Sequence, residues 1–485
     1  MATNTEAHED TIAAIATGNT CSGIGIIRIS GSQALVVARK ITHQETLPPR
    51  QAITSCFFTA QPGQCLQAIT TKQKIDFGLV IYFAAPHSFT GEDVIELHGH
   101  GNPILLHLLL DECVRLGCRL AQPGEFSRRA FLNNKIDLTQ AEATADLIHA
   151  QSVQAAHSAF ASMQGAFAQT IHQLQEQLTE LRVYVEAAID FPDEDIDFLA
   201  DSMLPNGMVA QGIRTILKQL QQLGVQAQQS VLLQEGIKIV IAGAPNVGKS
   251  SLLNLLTSEE TAIISNMAGT TRDPIKSMIN IDGLPIQIID TAGIHTTNHP
   301  IEQQGIEKSL AHMQQADLIL WLHDGNKEDT ETMIQTLLQY ALPERTKTIL
   351  VQNKIDLLST KKLQKIQYCI KTAIENNAYK HKFSSVAISA TQHLGIDPLK
   401  HAIRQQTGFI DKIETPFSAR QRHVRILSQV QNMIRHAQTQ FTETRYGELL
   451  AEDLRQAQLA LDEITGKHSN DQLLGSIFAG FCIGK

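Results

Sequence analysis

Gly243-Ala-Pro-Asn-Val-Gly-Lys-Ser250 follows the apolar run Ile237 to Ala242 and leads into Ser251-Leu-Leu-Asn-Leu-Leu256. The order is strand, glycine-rich loop, helix, and the loop reads G-x-x-x-x-G-K-S, the context in which that pattern binds phosphate. Its glycines let backbone N–H groups wrap phosphate oxygens at a helix N-terminus. Lys249 is placed to reach the β- and γ-phosphates, and the Ser250 hydroxyl to ligate Mg²⁺. From here to about residue 405 strand-like and helical runs alternate, the pattern of an open, mostly parallel sheet with helices on both faces.

Further motifs follow in order. Asp290, Thr291, Ala292 and Gly293 end the strand-like run Ile286 to Ile289. The carboxylate falls near the metal, and the glycine N–H can sense the γ-phosphate. Gly269-Thr-Thr-Arg-Asp273 lies between, and Thr271 is the natural second Mg²⁺ hydroxyl ligand in a segment that orders around the γ-phosphate. Asn353-Lys354-Ile-Asp356 follows the run Thr348 to Val351. Asp356 can accept hydrogen bonds from guanine N1–H and the 2-amino group, a buried polar pairing that discriminates strongly between bases. Ser389-Ala390-Thr391 would back the base, and Thr391 stands where a Lys or Arg often closes that motif. The set points to GTP rather than ATP.

One position departs from the common pattern. Many small GTPases place Gln after the Asp-x-x-Gly motif to orient the attacking water. Ile294 stands there instead and cannot orient water. The catalytic carboxylate or amide must come from elsewhere. Asn246 is a good oxygen ligand for a monovalent cation beside the phosphates, and K⁺ there would supply the charge that an arginine finger supplies in other systems. Glu302, twelve residues after Asp290, is a candidate for positioning water; an exposed glutamate at a helix start is the alternative.

Outside this stretch the texture changes. Residues 11 to about 135 mix strand-like runs such as Ile24 to Ser30 and Phe77 to Phe83 with a helical run from Ile104 to Leu116, an α+β pattern. Phe167, Ile171, Leu174, Leu178, Leu181 and Val185 then step by four and three, one apolar stripe on a long helix that Pro192 interrupts. Leu450, Leu454, Ala457, Leu461 and Ile464 repeat the stepping near the other end. The two helical segments are expected to pack together, with the α/β unit inserted between them. The expected domains are 1–135, 136–235, 236–408 and 409–485.

Bulk properties narrow the field. The chain has 485 residues, a net charge of −9 and 43% hydrophobic residues, so any RNA contact must be local or shared with a partner. Seven scattered cysteines with no Cys-x-x-Cys pair suit a reducing cytoplasm. Residues 1–15 carry Glu6, Glu9 and Asp10 without Lys or Arg, unlike a signal or transit peptide. No apolar run approaches the roughly 20 residues of a membrane span, and no stable membrane association is expected. His98, His100 and His107 are too scattered for a zinc site, and the acidic cluster at Asp190, Asp193, Glu194, Asp195 and Asp197 lacks calcium-loop spacing. Arg420, Arg422 and Arg425 read as a solvated helix face or a local RNA phosphate contact.

The chain resembles the MnmE (TrmE) family, tRNA-modification GTPases of the TrmE–Era–Obg group, over essentially its whole length. The marks are Gly25-Ile-Ile-Arg-Ile-Ser-Gly31, Ser88-Phe-Thr-Gly-Glu-Asp-Val94, Gly99-His-Gly101 and Pro123-Gly-Glu-Phe-Ser127. Others are Ala130-Phe-Leu-Asn-Asn-Lys135, Tyr184 to Pro192 and the terminal Phe481-Cys-Ile-Gly-Lys485. The resemblance implies an N-terminal folate-binding domain that forms a constitutive homodimer, a central helical domain and an inserted G domain. It implies that paired G domains, with GTP, Mg²⁺ and K⁺, activate hydrolysis. It also implies an FAD-dependent partner enzyme, in a heterotetramer, with which an aminomethyl or carboxymethylaminomethyl group is added to C5 of the wobble uridine of certain tRNAs.

Carried over by motif, the resemblance makes Asn246 the side-chain ligand of K⁺, with Ser265, Met267 and Thr270 completing the site mainly through backbone oxygens. It places the nucleotide against Asn246, Val247, Gly248, Lys249, Ser250 and Ser251, and against Ser265, Asn266, Met267, Ala268, Gly269, Thr270 and Thr271. Asp290 to Gly293, Asn353, Lys354, Asp356 and Ser389 to Thr391 complete that set. Glu302 falls at the water-positioning glutamate, since the following Gly305-Ile-Glu307 also matches, and joins Lys249 and Cys482 as catalytic residues. Arg28, Glu96, Lys135 and Lys485 match positions that hold 5-formyltetrahydrofolate or another tetrahydrofolate one-carbon carrier; ordinary salt bridges are their other reading. A ribosome-assembly or RNA-chaperone GTPase that modifies no base is the competing function. A GTPase acting on membranes is disfavoured by the lack of a lipid anchor or basic amphipathic helix.

Overall fold

The structure is a computed structural model. It describes residues 10–18, 20–59, 73–190, 207–259, 276–290, 300–325, 343, 346–375, 383–410, 416–444, 446–467, 471–481 and 484. The chain divides into two compact units, one of residues 1–145, 162–216 and 432–485, the other of residues 146–161 and 217–431.

The first unit holds a sheet of β1 (Ile12–Ile15), β2 (Ser22–Ser30), β3 (Ala52–Thr59), β4 (Gln73–Phe83), β5 (Val94–Gly101) and β6 (Arg119–Leu120). Its order is β3-β4-β5-β2-β1-β6, antiparallel except for β1 beside β6. Alternation decides which face is buried. Ile27 and Ile29 are fully buried under the helices Ala34–Thr42 and Pro103–Arg115, while Arg28 between them points to the opposite face. The helix Pro103–Arg115 begins as expected of its sequence. Asn102 caps it by accepting from the Ile104 N–H at 2.9 Å, and Pro103 stands where no intrahelical N–H is needed.

The helical stripes are where their spacing places them. Phe167, Ile171, Leu174, Leu178, Leu181 and Val185 are the buried face of the helix Ala166–Asp190. Leu450, Leu454, Ala457, Leu461 and Ile464 are buried on the helix Gly447–Thr465. The two helices pack on each other, and Gln175 Nε2 donates to Asp462 Oδ1 at 2.6 Å beside the apolar seam. Each leucine buried there contributes about 1.5–3 kcal/mol of transfer free energy. Pro192, expected to interrupt the helix Ala166–Asp190, lies outside the described residues. Gly466, at φ 86°, stops the second helix, and a Cβ there would press on Phe131 and Leu138 at 2.9 and 3.0 Å.

The second unit contains the α/β unit, with helical residues from either side of it. Its sheet holds β7 (Ile237–Gly243), β8 (Lys276–Ile281), β9 (Leu284–Asp290), β10 (Leu318–Asp324), β11 (Lys347–Asn353) and β12 (Phe383–Ala387). The order is β12-β11-β10-β7-β9-β8, with only β8 antiparallel to its neighbour. Central parallel strands are covered on both faces and so read as continuous apolar runs. β10 is accordingly buried along its whole length. The carboxyl ends of β7, β9, β10, β11 and β12 lie along one edge, where ligands of such sheets bind.

Candidate functional site

The loop after β7 is shaped by two glycines. Gly243 has φ 145°, and a Cβ there would stand 2.2 Å from the Leu322 carbonyl oxygen, so the loop leaves the sheet against its neighbour's backbone. Gly248 has φ 102°, and its Cβ would stand 2.2 Å from Asn353 Nδ2. Lys249, buried at the first residue of the helix Lys249–Glu259, donates through Nζ to the Gly243 and Ala244 carbonyls at 3.1 and 2.8 Å. Its ammonium thus stands over the loop, while Ser250 beside it is exposed at the helix start.

Asn353 ties this loop to the segments expected to hold the base. It donates from Nδ2 to the Val247 carbonyl at 2.9 Å, and its Oδ1 accepts from the N–H groups of Lys354 and Ala390 at 2.9 and 3.1 Å. One buried carboxamide therefore joins three of the sequence motifs. Lys354, at φ 63°, donates to the Asn246 carbonyl at 2.9 Å and to Asp324 Oδ2 at 2.8 Å. Asp356 is exposed in the short 3-10 turn Ile355–Leu357, and its carboxylate has no hydrogen-bond partner among the described residues. Ser389 accepts from the Gln392 N–H at 3.2 Å, closing the turn that carries Ala390.

Gly248→Ala is expected to weaken guanine-nucleotide affinity at least about ten-fold, because the new methyl must displace Asn353 and adopt a strained φ. Titration with a fluorescent GDP analogue measures it. Parental affinity would mean that Asn353 does not hold the two loops together.

Asp290 ends β9, and Glu302 falls in the first turn of the helix Pro300–Gln315. Only their backbone is described. Ser265, Asn266, Met267, Ala268, Gly269, Thr270, Thr271, Thr291, Ala292, Gly293, Cys482 and Lys485 lie outside the described residues. Asp324 went unnoticed in the sequence. It becomes visible only through strand register: β10 and β11 pair in parallel with Asp324 opposite Asn353, which sets its carboxylate beside Lys354.

In the first unit, β2 and β5 pair with Arg28 opposite Glu96. The guanidinium donates from Nε and Nη2 to Glu96 Oε1 at 3.0 and 2.8 Å, and from Nη1 to the Gly484 carbonyl at 3.2 Å. Its Cζ lies 5.8 Å from the ring centroids of both Phe89 and Phe126. Two of the expected folate residues thus meet as an ion pair, and the C-terminal tail reaches them. Gly484, at φ 93°, is seated so closely that a Cβ would come 2.3 Å from the Ile15 carbonyl oxygen. Lys135 stands against the turn at Gly91, next to Thr90, whose carbonyl accepts from Asn133 Nδ2 at 2.7 Å.

The histidines have separate partners. His98 meets Glu96 at 3.1 Å, His100 meets Asp76 at 2.8 Å, and His107 Nδ1 is 2.7 Å from the Pro103 carbonyl oxygen. Burial raises the Asp76 carboxyl, but N–H groups of His100 and Phe77 more than offset it and hold the group below the usual range. In the second unit Arg420 gives Nε and Nη2 to Asp146 Oδ1 at 3.1 and 2.7 Å, so this arginine serves an internal ion pair rather than an open basic face.

Comparison with known proteins covers nearly the whole chain. Residues 138–482 match the family described as the MnmE helical domain, and residues 11–135 match the GTP-binding protein TrmE N-terminus. The tRNA modification GTPase MnmE of Pseudomonas fluorescens (strain Pf0-1) is 45% identical over 481 residues, 99% of this chain and 100% of the relative. Its counterpart in Hydrogenovibrio crunogenus is 46% identical over 476 residues, 98% of this chain and 99% of the relative. Among solved structures, Era in complex with MgGDPNP and a segment of 16S ribosomal RNA is 28% identical, covering 35% of this chain and 56% of that one with a TM-score of 0.30.

Proposed function

The chain belongs to the MnmE family of tRNA-modification GTPases, and on that premise we propose that it is a K⁺-activated GTPase acting in tRNA wobble-uridine modification. It hydrolyses GTP to GDP. With an FAD-dependent partner enzyme, it takes part in adding a carboxymethylaminomethyl or aminomethyl group to uridine C5, with a tetrahydrofolate derivative as one-carbon donor. The chain works as a homodimer in the cytoplasm, its G domain (residues 236–408) inserted in the helical domain (residues 136–235 and 409–485) behind the N-terminal domain (residues 1–135). Among the described residues no helix is long and apolar enough to cross a membrane.

The observation that carries this reading is the Asn353 carboxamide, which joins the phosphate loop at Val247 to the turn at Ala390. That linkage supports reading the phosphate loop and the base-recognition segments as parts of one site. Lys249 holds the β- and γ-phosphates, and Asp356 reads the guanine edge. The residues for the cations fit their task. Ser250 is exposed beside Lys249, and Asn246 is exposed on the loop with its carboxamide unpartnered among the described residues. Ser250 and Thr271 would hold Mg²⁺; Asn246, with the backbone of Ser265, Met267 and Thr270, would hold K⁺. Cations held by these residues would supply positive charge to the phosphate oxygens. Glu302 orients the water for in-line attack.

The folate reading rests on the N-terminal family match and on the gathering of Arg28, Glu96 and the tail carbonyl of Gly484. Arg28, near the rings of Phe89 and Phe126, offers donors to a carboxylate or carbonyl, Glu96 accepts from a pterin edge, and Lys135 and Lys485 add positive charge for the glutamate moiety. Cys482, two residues before Gly484 in the sequence, is a candidate for the modification chemistry.

GTP turnover in KCl against NaCl at equal ionic strength tests the cation. Turnover is expected to be at least about a hundred-fold faster in KCl, with the advantage lost in Asn246→Ala. Equal rates in both salts would remove K⁺ from the mechanism and leave an ordinary GTPase.

A further inference from the structure

A cleft of about 490 Å³ in the first unit is lined by Phe131, Asn134, Lys135, His172, Thr465 and Lys467, among others. We propose that it receives an unstacked pyrimidine nucleotide from a single-stranded RNA loop. The proposal rests on the tRNA-directed reading above and names where on this chain the base would be held.

Charge comes first. Lys135 and Lys467 each follow a helix end, and cations there partly balance the helix dipole. Neither that role nor the folate role proposed for Lys135 explains why Lys467, from a different helix, shares its cleft. Neither ammonium has an ion-pair or hydrogen-bond partner among the described residues. The lining carboxylate of Asp137 is already committed, its Oδ1 accepting from the Thr139 hydroxyl at 2.6 Å and the Gln140 N–H at 2.9 Å. The cleft therefore carries excess positive charge, on a chain whose net charge is −9. An anion suits it, and the phosphates flanking a nucleotide supply one on each side.

Shape and polarity come next. The volume lies in the range of small-ligand pockets, roughly 300–1,000 Å³. Proteins read unpaired bases by stacking them on aromatic or imidazole rings and bonding their edges. Phe131 and the half-buried His172 bring flat rings to this cleft. The exposed Asn134, at φ 54°, brings a carboxamide with donor and acceptor side by side, the complement of a uracil N3–H and its adjacent carbonyl. Enzymes that alter a base take it out of its stack, so a chain engaged in such chemistry needs a place of this kind.

The test uses the full chain and a hairpin RNA with an anticodon-type loop, uridine at the wobble position and 2-aminopurine as its 3′ neighbour. Binding of the parent is expected to raise 2-aminopurine fluorescence as the uridine unstacks. Lys467→Ala should reduce the slope of log Kd against log salt by about 0.7. His172→Ala should weaken binding about ten-fold and abolish the fluorescence rise. Both variants should keep parental GTP turnover and melting temperature. Parental RNA affinity, salt slope and fluorescence in both variants would overturn the proposal. So would variants that bind RNA normally but lose 5-formyltetrahydrofolate, which would make the cleft part of the folate site. A parent that binds no RNA would overturn the tRNA-directed reading as well, so the two failures are distinguishable.

Discussion

Glu302→Ala is expected to slow GTP hydrolysis about 10²–10⁴-fold with little change in nucleotide affinity. The reason begins with Ile294, an apolar side chain where many small GTPases carry the water-orienting amide. Glu302 stands in the first turn of the helix Pro300–Gln315 and is the acidic residue proposed to take over that task. An ionised carboxylate suits orientation of water by hydrogen bonding. Glu302→Gln is therefore expected to recover part of the rate, since the amide oxygen can still accept from water. Single-turnover hydrolysis in KCl, with Kd for a fluorescent GDP analogue measured alongside, separates chemistry from binding. An alanine variant as fast as the parent would leave the residue as a helix-start glutamate and send the search for the water ligand elsewhere.

Asp356→Asn is expected to shift the preference between GTP and XTP by about 10⁴-fold toward XTP. The aspartate accepts from two guanine donors. An asparagine in its place turns one acceptor into a donor, which opposes the guanine 2-amino group and suits the xanthine 2-oxo group. The effect should be large because the mismatch leaves polar groups of the bound base unpaired. Competition of GTP and XTP against a fluorescent GDP analogue measures the ratio. An unchanged preference would mean that the base is read by other groups, and the Asn353 linkage would then serve the phosphate loop alone.

The sequence was most legible where local spacing and local chemistry coincide. The run Gly243 to Ser250 needs a strand before it and a helix after it, and both are present as β7 and the helix Lys249–Glu259. The stripes of the helices Ala166–Asp190 and Gly447–Thr465 were readable because a period near 3.6 puts each apolar residue on one face. Legibility ended where a residue's meaning depends on a partner far along the chain. Arg420 reads locally as one of three neighbouring arginines, yet its guanidinium is held by Asp146, 274 residues away. Arg28 and Glu96 read as possible ligand groups, and strand register makes them an ion pair.

From the sequence alone come the α/β unit, the order of its nucleotide motifs, the helical stripes and the membership of the family. These are properties of neighbouring residues, set by backbone sterics and by the periodicity of helix and strand. Only the tertiary structure joins Val247, Asn353 and Ala390 through one carboxamide, sets Asp324 beside Lys354, carries the Gly484 carbonyl to Arg28 and opens the cleft between Lys135 and Lys467. Such contacts depend on strand order, register and the packing of distant helices. Those are decided by how the whole apolar surface is buried at once, which no local spacing encodes.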